Sequence, residues 1–240
     1  MAGKAQAHPI PSVWARPQAA PSQPALSRAV IVRETIAMLD EEGTEALSMR
    51  RLGARLNAGA TSLYRHVALK DELMELAVDE VLAEIALPAA DSPDWRAAVT
   101  QLAASFRGTT LRHPWMCGVL GQAGLAHLGP NLAAVSGRLS ALFTAAGFPE
   151  PHGAIDVVYS YVIGVTTTES AWLTSVARSG QTEADFIARL APTAQQTDGH
   201  AHPGEPPADA GPADPSGMRD EKFAYGLEVV LDGLALRLTH

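Results

Sequence analysis

An all-α fold is predicted by two features of the sequence. Apolar side chains recur at helical spacing, as Val32, Ile36 and Leu39 do, while Pro and Gly stand between such segments and not inside them. No stretch shows the alternation of apolar and polar residues that is typical of a half-buried strand. The chain has 240 residues, of which 47% are apolar and 18% charged, so it is long enough to bury a sizeable core.

The helices follow from their start and stop residues. Ser27 is a suitable N-cap and Gly43 a suitable stop, so the first helix is expected over residues 27–42. A second helix begins near Ser48 and runs through MRRLGARL, and a fourth is ended by Pro88. The remaining helices, the third and fourth included, are expected over residues 61–67, 70–86, 94–112, 115–126, 130–146, 151–177 and 221–238.

Two segments are too polar and too rich in Pro to form a packed core. Residues 1–25 are expected to be a disordered N-terminal arm, and residues 192–218 a flexible loop inside the chain. Cys117 is the single cysteine, which rules out a disulfide within the chain and suggests a reducing compartment. Without an apolar run of signal-peptide or membrane-span length, the protein is expected to be cytoplasmic and to have no membrane partner.

Residues 47–67, LSMRRLGARLNAGATSLYRHV, have the pattern of a helix-turn-helix. Leu52, Leu56, Leu63 and Val67 supply the inner faces of two short helices, and Asn57 and Gly59 suit the tight turn between them. The second helix would then present side chains able to reach base edges and phosphates, namely Thr61, Ser62, Tyr64, Arg65 and His66.

The charge of this segment is opposite to that of the whole chain. The chain carries a formal net charge of -8, but residues 50–70 contain four arginines and Lys70 and no acidic residue. Phosphate attraction acts over roughly a Debye length of ~8–10 Å, so the local cations decide contact with DNA. The alternative reading of the same pattern is an amphipathic hairpin with a solvated basic face.

The stretch from LSRAVIVRETIAMLDEEG through LSMRRLGARL and SLYRHV to Lys70 resembles the N-terminal domain of the TetR family of bacterial transcriptional repressors. Residues 95–240 resemble, more weakly, the C-terminal domain of the tetracycline-repressor branch. The resemblance implies a helix-turn-helix DNA-binding domain at 26–72 and a helical ligand-binding and dimerisation domain at 73–240. Its DNA-binding residues would be Ser48, Arg50, Thr61, Ser62, Tyr64, Arg65, His66 and Lys70, of which Tyr64, His66 and Lys70 match phosphate contacts.

A ligand pocket is expected in the C-terminal domain. The tetracycline repressors bind a magnesium–drug chelate through a histidine, whose place Leu120 takes here, so neither a metal nor another cofactor is expected. The apolar lining would be Phe106, Trp115, Met116, Leu120, Leu139, Phe143, Tyr161 and Trp172, and the polar groups His113, Gln122, Thr166 and Glu169. For each apolar residue, ordinary core packing is the simpler explanation.

The expected function is that of a homodimeric repressor, not an enzyme, which binds a palindromic operator and is released by a small-molecule inducer. The dimer would pair apolar stripes of two helices, Ile155, Val158 and Val162 with Leu227, Val230, Leu231 and Leu234, although both stripes could instead close a monomer core. Two alternatives stay open: a helical enzyme using His113 and Cys117, and a sequence-independent DNA-binding protein.

Overall fold

The computed structural model describes residues 26–123, 129–197 and 214–238, and no strand occurs in these ranges. The all-α prediction is confirmed. The helices are α1 (Arg28–Glu42), α2 (Met49–Arg55), α3 (Ala60–Leu63), α4 (Lys70–Leu82), α5 (Trp95–Arg112), α6 (Trp115–Ala123), α7 (Pro130–Ala145), α8 (Pro151–Ser179), α9 (Glu183–Thr197) and α10 (Pro215–Ala235), with 3-10 turns at Thr44–Ala46 and Leu236–Leu238.

The N-terminal helices begin and end where their capping residues predict. The Ser27 hydroxyl accepts a hydrogen bond from the backbone N–H of Val30, and Gly43, with φ 78°, donates its N–H to the carbonyl of Leu39. Ser48 caps α2 in the same way by accepting from the N–H of Arg51 at 3.2 Å. These caps satisfy backbone groups that a helix end leaves without an intrahelical partner.

Three elements differ from the prediction. Helix α3 is a single turn, and Tyr64, Arg65 and His66 lie in the turn that follows it. Helix α9 was not predicted, and α10 begins at Pro215, six residues before the predicted start at 221. The predicted loop 192–218 therefore loses both ends to helices, and its middle, 198–213, lies outside the described residues, as does the predicted arm 1–25.

Helix α4 joins the two parts of the molecule. It packs on α1 at one end and on α5 and α7 at the other, while α8 packs against α5, α6, α7, α9 and α10. The buried apolar residues form one continuous cluster, in which Leu73, Ala77 and Val81 of α4 lie between the N-terminal and C-terminal side chains. A shift of α4 therefore disturbs packing in both parts. Within the described ranges, no helix is long and apolar enough to cross a bilayer.

Candidate functional site

The turn between α2 and α3 is a Schellman motif. The N–H of Ala58 bonds to the carbonyl of Gly53 at 2.8 Å, and the N–H of Asn57 bonds to that of Ala54 at 3.2 Å. Asn57 takes the left-handed backbone conformation, with φ 48°, as its side chain allows. Gly59 does not adopt a positive φ, so the turn depends on Asn57 alone for this conformation.

The side chains expected to contact DNA remain accessible. Arg50, Thr61, Tyr64, Arg65 and Lys70 are exposed, Tyr64 to 52%. The others, Ser48, Ser62 and His66, are half-buried. Meanwhile Leu63 and Val67 are buried and Leu56 is half-buried, so this segment presents its polar side chains outward and packs its apolar ones.

Helix α2 separates its arginines into two groups. Arg51 and Arg55 are four residues apart and share one side of the helix, while Arg50 lies on another side. Arg55 donates to Glu34 at 2.6 Å and to Glu41 at 2.7 Å, and Arg51 pairs with Glu42. All three glutamates belong to α1.

The electrostatic effect of these pairs is local. Hydrogen bonds from Arg55 hold the pKa of the Glu41 carboxyl below its usual range, and the pKa of the Arg55 guanidinium is raised by the same contact and by Glu34. Among the described residues, Arg50, Arg65 and Lys70 have no carboxylate partner. Of the five cations in residues 50–70, two are therefore paired with carboxylates of α1, and three remain available to a phosphate.

Polar contacts tie the C-terminal end of α1 to the corner between α5 and α6. Asp40 Oδ1 lies 2.8 Å from His113 Nδ1 and accepts a hydrogen bond from the indole N–H of Trp115 at 2.7 Å. The other ring nitrogen of His113 is 3.3 Å from Glu84, which also pairs with Arg112. The hydrogen bond from Arg112 holds the pKa of Glu84 below its usual value. A movement of α1 would therefore change the contacts of His113 and Trp115 with Asp40.

A second tie joins α4 to the start of α7. The first turn of α7 has no capping side chain of its own, because Gly129 precedes Pro130. Asp79 of α4 takes this role by accepting from the backbone N–H groups of Asn131 and Leu132 at 3.0 and 3.1 Å. A carboxylate at this position also interacts favourably with the helix dipole, so α4 and α7 are held end to side.

The residues predicted to line one pocket lie in several places. Phe106 and Leu139 border one apolar gap, together with Leu102, Ala103, Val158, Tyr159 and Val162. The space in that gap that a water molecule could occupy is about 0 Å³, whereas drug-sized sites begin at roughly 300 Å³. Burial raises the pKa of the Tyr159 hydroxyl at its edge.

The other predicted pocket residues have different neighbours. Phe143 packs against Trp95 and Phe148, and Met116 is fully buried. Thr166 donates to the Val162 carbonyl of its own helix, while Leu120 is half-buried. His113 and Trp115 belong to the Asp40 contact, and the side chain of Gln122 lies outside the described part of the chain.

Tyr161, Glu169 and Trp172 lie where α8 meets the last two helices. Tyr161 donates its hydroxyl to the Phe223 carbonyl at 2.8 Å, and Trp172 donates its indole N–H to Glu183 at 2.6 Å. Glu169 receives both Nε and Nη2 of Arg107, at 2.7 and 2.6 Å, and Nε of Arg219 at 3.0 Å. These contacts hold α5, α8, α9 and α10 together.

The pair proposed for the enzyme alternative is not assembled. Both ring nitrogens of His113 face carboxylates, whereas Cys117 lies beside the hydroxyls of Ser170 and Thr167. Burial raises the pKa of the Cys117 thiol, which lowers the thiolate fraction that a nucleophile needs. No group of three or more potential metal ligands occurs within the described ranges.

Most of the residues predicted for the dimer interface are already covered by packing within the single chain. Ile155, Val158, Val162, Leu227 and Leu231 are buried inside the single chain, because α8 and α10 pack on each other along these residues. Val230 and Leu234 are half-buried. The exposed apolar side chains are on the opposite faces, namely Val157 of α8 and Met218, Tyr225 and Val229 of α10.

Two parts of the site were missed by sequence reasoning. The carboxylates of α1 face Arg51 and Arg55, although the spacing of Glu34 and Glu41, seven residues apart on one helical face, is visible in the sequence. The sequence also indicates that α7 needs a cap from elsewhere, since a helix beginning Gly-Pro lacks a side-chain cap of its own. Asp79 supplies that cap. Its partner could not have been found without the packing of α4 on α7.

Comparison with known proteins agrees with this architecture. Residues 87–238 match the family model described as "Tetracyclin repressor-like, C-terminal domain". An HTH-type transcriptional regulator of Saccharopolyspora erythraea is 38% identical over 209 residues, which cover 83% of this chain and 84% of the relative. The HTH-type transcriptional repressor DrrR1 of Streptomyces coeruleorubidus is 32% identical, over 91% of this chain and 80% of that one.

A solved structure extends the likeness to nearly the whole fold. The TetR family protein ActR of Streptomyces coelicolor, in complex with actinorhodin, superposes with a TM-score of 0.69 at 25% identity and covers 90% of this chain and 100% of its own. The family model alone spans more than half of the sequence, and the helix-turn-helix lies in the N-terminal part that the model does not cover. The chain belongs to the TetR family of transcriptional regulators.

Proposed function

We propose that the protein is a transcriptional repressor that binds a palindromic operator as a homodimer and is released by a small-molecule inducer. The observation that carries this proposal is a helix-turn-helix joined through α4 to a helical domain of the family's ligand-binding type. Its Arg50, Arg65 and Lys70 are exposed and, among the described residues, pair with no carboxylate. Relatives named as HTH-type regulators and repressors support the DNA-binding role. ActR, solved with actinorhodin, supports a ligand role for the C-terminal domain.

A ligand that enters the apolar gap would require an open form of the C-terminal domain. The apolar gap at Phe106 and Leu139 is too small in the closed form, so an inducer would have to separate α5, α7 and α8. Helix α7 is bonded to Asp79 of α4, and the α5–α6 corner to Asp40 of α1. An inducer that binds the open form better would shift both ties and, with them, the recognition segment.

The operator is found by selecting bound sequences from a random duplex library with purified protein. On that operator, Tyr64→Ala and Lys70→Ala each remove a phosphate contact and weaken binding. Lys70→Ala also lowers the salt slope, by about 0.9 for the cation lost in each protomer, whereas the loss of the neutral Tyr64 hydroxyl leaves the slope unchanged. Arg65→Ala instead relaxes preference at one position by roughly 1–3 kcal/mol if it reads a base. Fluorescence anisotropy at fixed salt measures all three. Unchanged affinity in every variant contradicts the assignment of the recognition segment.

The dimer is proposed to form through the exposed faces of α8 and α10. Met218, Tyr225 and Val229 recur on the side of α10 opposite to buried Phe223 and Leu227, and Tyr225 is 72% exposed. A second copy of the chain would cover this face in a four-helix arrangement. The apolar side chains left in solvent at Tyr225 and Val229 are the reason to place the partner there.

Val229→Glu is expected to give a folded monomer that binds the operator far more weakly, because one half-site makes half of the contacts. Leu87→Glu is the matched control, since Leu87 is exposed but lies outside both helices. Light scattering gives the mass and circular dichroism the helical content. A wild-type protein that is monomeric at micromolar concentration and still binds the operator fully would refute the dimer.

A further inference from the structure

The surface of the helix-turn-helix carries a boundary between available and neutralised cations. Arg55 contacts three carboxylates of α1, with Nε 2.6 Å from Glu34, Nη1 2.7 Å from Glu41 and the same Nη1 3.4 Å from Glu42. Arg51 pairs with Glu42 and also donates to the carbonyl of Ala46 at 3.1 Å. The cluster of Glu34, Glu41, Glu42, Arg51 and Arg55 holds three negative and two positive charges, so its net charge is negative.

The geometry of α2 explains why the cluster forms on one side only. Leu52 and Gly53 are buried, and Arg51 and Arg55 lie on the flank that faces α1. Arg50 lies on a different side of the helix, about 100° around from Arg51, exposed and without a carboxylate partner among the described residues. One short helix therefore has a cationic flank and a flank covered by acidic side chains.

We infer that Glu34, Glu41 and Glu42 act as an acidic screen that withholds Arg51 and Arg55 from DNA and confines phosphate contact to the side of Arg50, Arg65 and Lys70. This inference rests on the proposed operator binding and adds which cations take part. Arg51 and Arg55 are positioning residues, since their bonds fix α2 against α1. The screen would also repel a phosphate backbone that approaches from the α1 side, because the cluster carries excess negative charge.

Such a screen limits binding to the wrong DNA more than to the operator. Non-specific affinity comes almost entirely from cations against phosphates, so two neutralised arginines per protomer remove a large part of it. Base contacts of the recognition segment are unaffected by the screen. Specificity is a difference between two affinities, and weakening the non-specific one raises it.

The test compares variants of the full-length protein on two fluorescein-labelled duplexes, the selected operator and a scrambled sequence, across a series of potassium chloride concentrations. Lys70→Gln should lower the salt slope by about 1.8, from one contact in each of two protomers. Arg51→Gln and Arg55→Gln should leave the slope unchanged. If Arg55→Gln loses helical content, Arg51→Gln decides this arm, since Arg51 is bound to a single glutamate.

The second arm removes carboxylates instead of arginines, so that Arg51 loses its glutamate partner and Arg55 keeps only Glu34 of its three. The double variant Glu41→Gln, Glu42→Gln should bind the scrambled duplex more tightly at low salt, by roughly twofold per charge removed at about 10 Å in water. The gain should shrink at high salt, and the operator-to-scrambled ratio should fall. Glu45→Gln is the matched control, because Glu45 is an exposed carboxylate nearby with no arginine partner among the described residues.

The outcomes separate the two proposals. A wild-type protein that binds neither duplex overturns operator binding and the screen together. A wild-type protein that binds, with slopes lowered equally by Arg55→Gln, Arg51→Gln and Lys70→Gln, overturns the screen alone. The screen is also overturned if the double glutamine variant binds the scrambled duplex no better than Glu45→Gln does.

Discussion

The helix-turn-helix and the C-terminal domain use arginines in opposite ways. In the first, Arg50 and Arg65 stand exposed without a carboxylate partner in the described part of the chain. In the second, Arg107 makes a bidentate pair with Glu169, and their side chains are only 12% and 6% exposed. Cations left in solvent serve an external partner, whereas buried pairs hold helices together. The position of the carboxylates, and not the number of arginines, distinguishes a binding surface from a structural one.

The largest effect is expected from breaking the buried pair. Glu169→Gln leaves Arg107 and Arg219 without their shared carboxylate, and removing one partner of a buried pair costs about 3 kcal/mol of unfolding free energy. Urea denaturation measures the loss. Asp220→Asn is the control, because Asp220 pairs with the same Arg107 from an exposed position and should cost less than about 1 kcal/mol. Equal losses in both variants would show that burial does not set the strength of this network.

A smaller effect is expected at the contact between the two regions. A methyl group on Gly129 would overlap Asp79 Oδ1, so Gly129→Ala displaces the carboxylate that caps α7. The loss of a cap costs about 1 kcal/mol, and thermal unfolding measures it.

Gly137→Ala is the control for this prediction. Gly137 lies within α7 with nothing in contact range of an added methyl, so alanine there should stabilise the helix by about 0.5–1 kcal/mol. If both glycine variants stabilise the protein, then Asp79 does not tie α4 to α7 in solution.

The smallest effect is expected from Asn57→Gly in the turn of the helix-turn-helix, and Asn57→Val is the variant to compare it with. Asn57 has φ 48°, and a β-branched side chain in this conformation is strained, so Asn57→Val should cost about 1–2 kcal/mol and weaken operator binding. Asn57→Gly keeps the conformation accessible and should change the unfolding free energy by only a few tenths of a kcal/mol. If Asn57→Val and Asn57→Gly had the same free energy of unfolding, the role of Asn57 in the turn would be contradicted.

Local patterns were enough to predict the N-terminal part. Ser27, Gly43, Ser48 and Asn57 act within a few residues of their own positions, and the structure places each of them as the pattern indicates. The short α3 is the exception there. The backbone N–H groups of His66 and Val67 both bond to the Leu63 carbonyl. These bonds close a turn after Leu63, and the helix does not extend beyond that residue.

The C-terminal part depends on contacts between residues far apart in sequence. Phe106, Phe143 and Trp172 are all residue types that commonly line a pocket. In the structure they have different neighbours, since Phe106 borders the apolar gap, Phe143 packs on Phe148 and Trp172 packs on Phe186. Helix α9 was missed because Pro192 lies within its span, where a proline ordinarily ends a helix. The stripes of α8 and α10 were correctly seen as apolar, yet periodicity does not show whether a stripe faces its own chain or a second copy.

The contact between Trp115 and Asp40 has an optical consequence. The indole N–H donates to a carboxylate of α1 at 2.7 Å, and the ring itself is nearly buried at the start of α6. Indole emission shifts with the polarity and charge around the ring, so its wavelength depends on whether this bond is made. With Trp14, Trp95 and Trp172 replaced by phenylalanine, the emission of Trp115 alone would report on this junction without any attached dye.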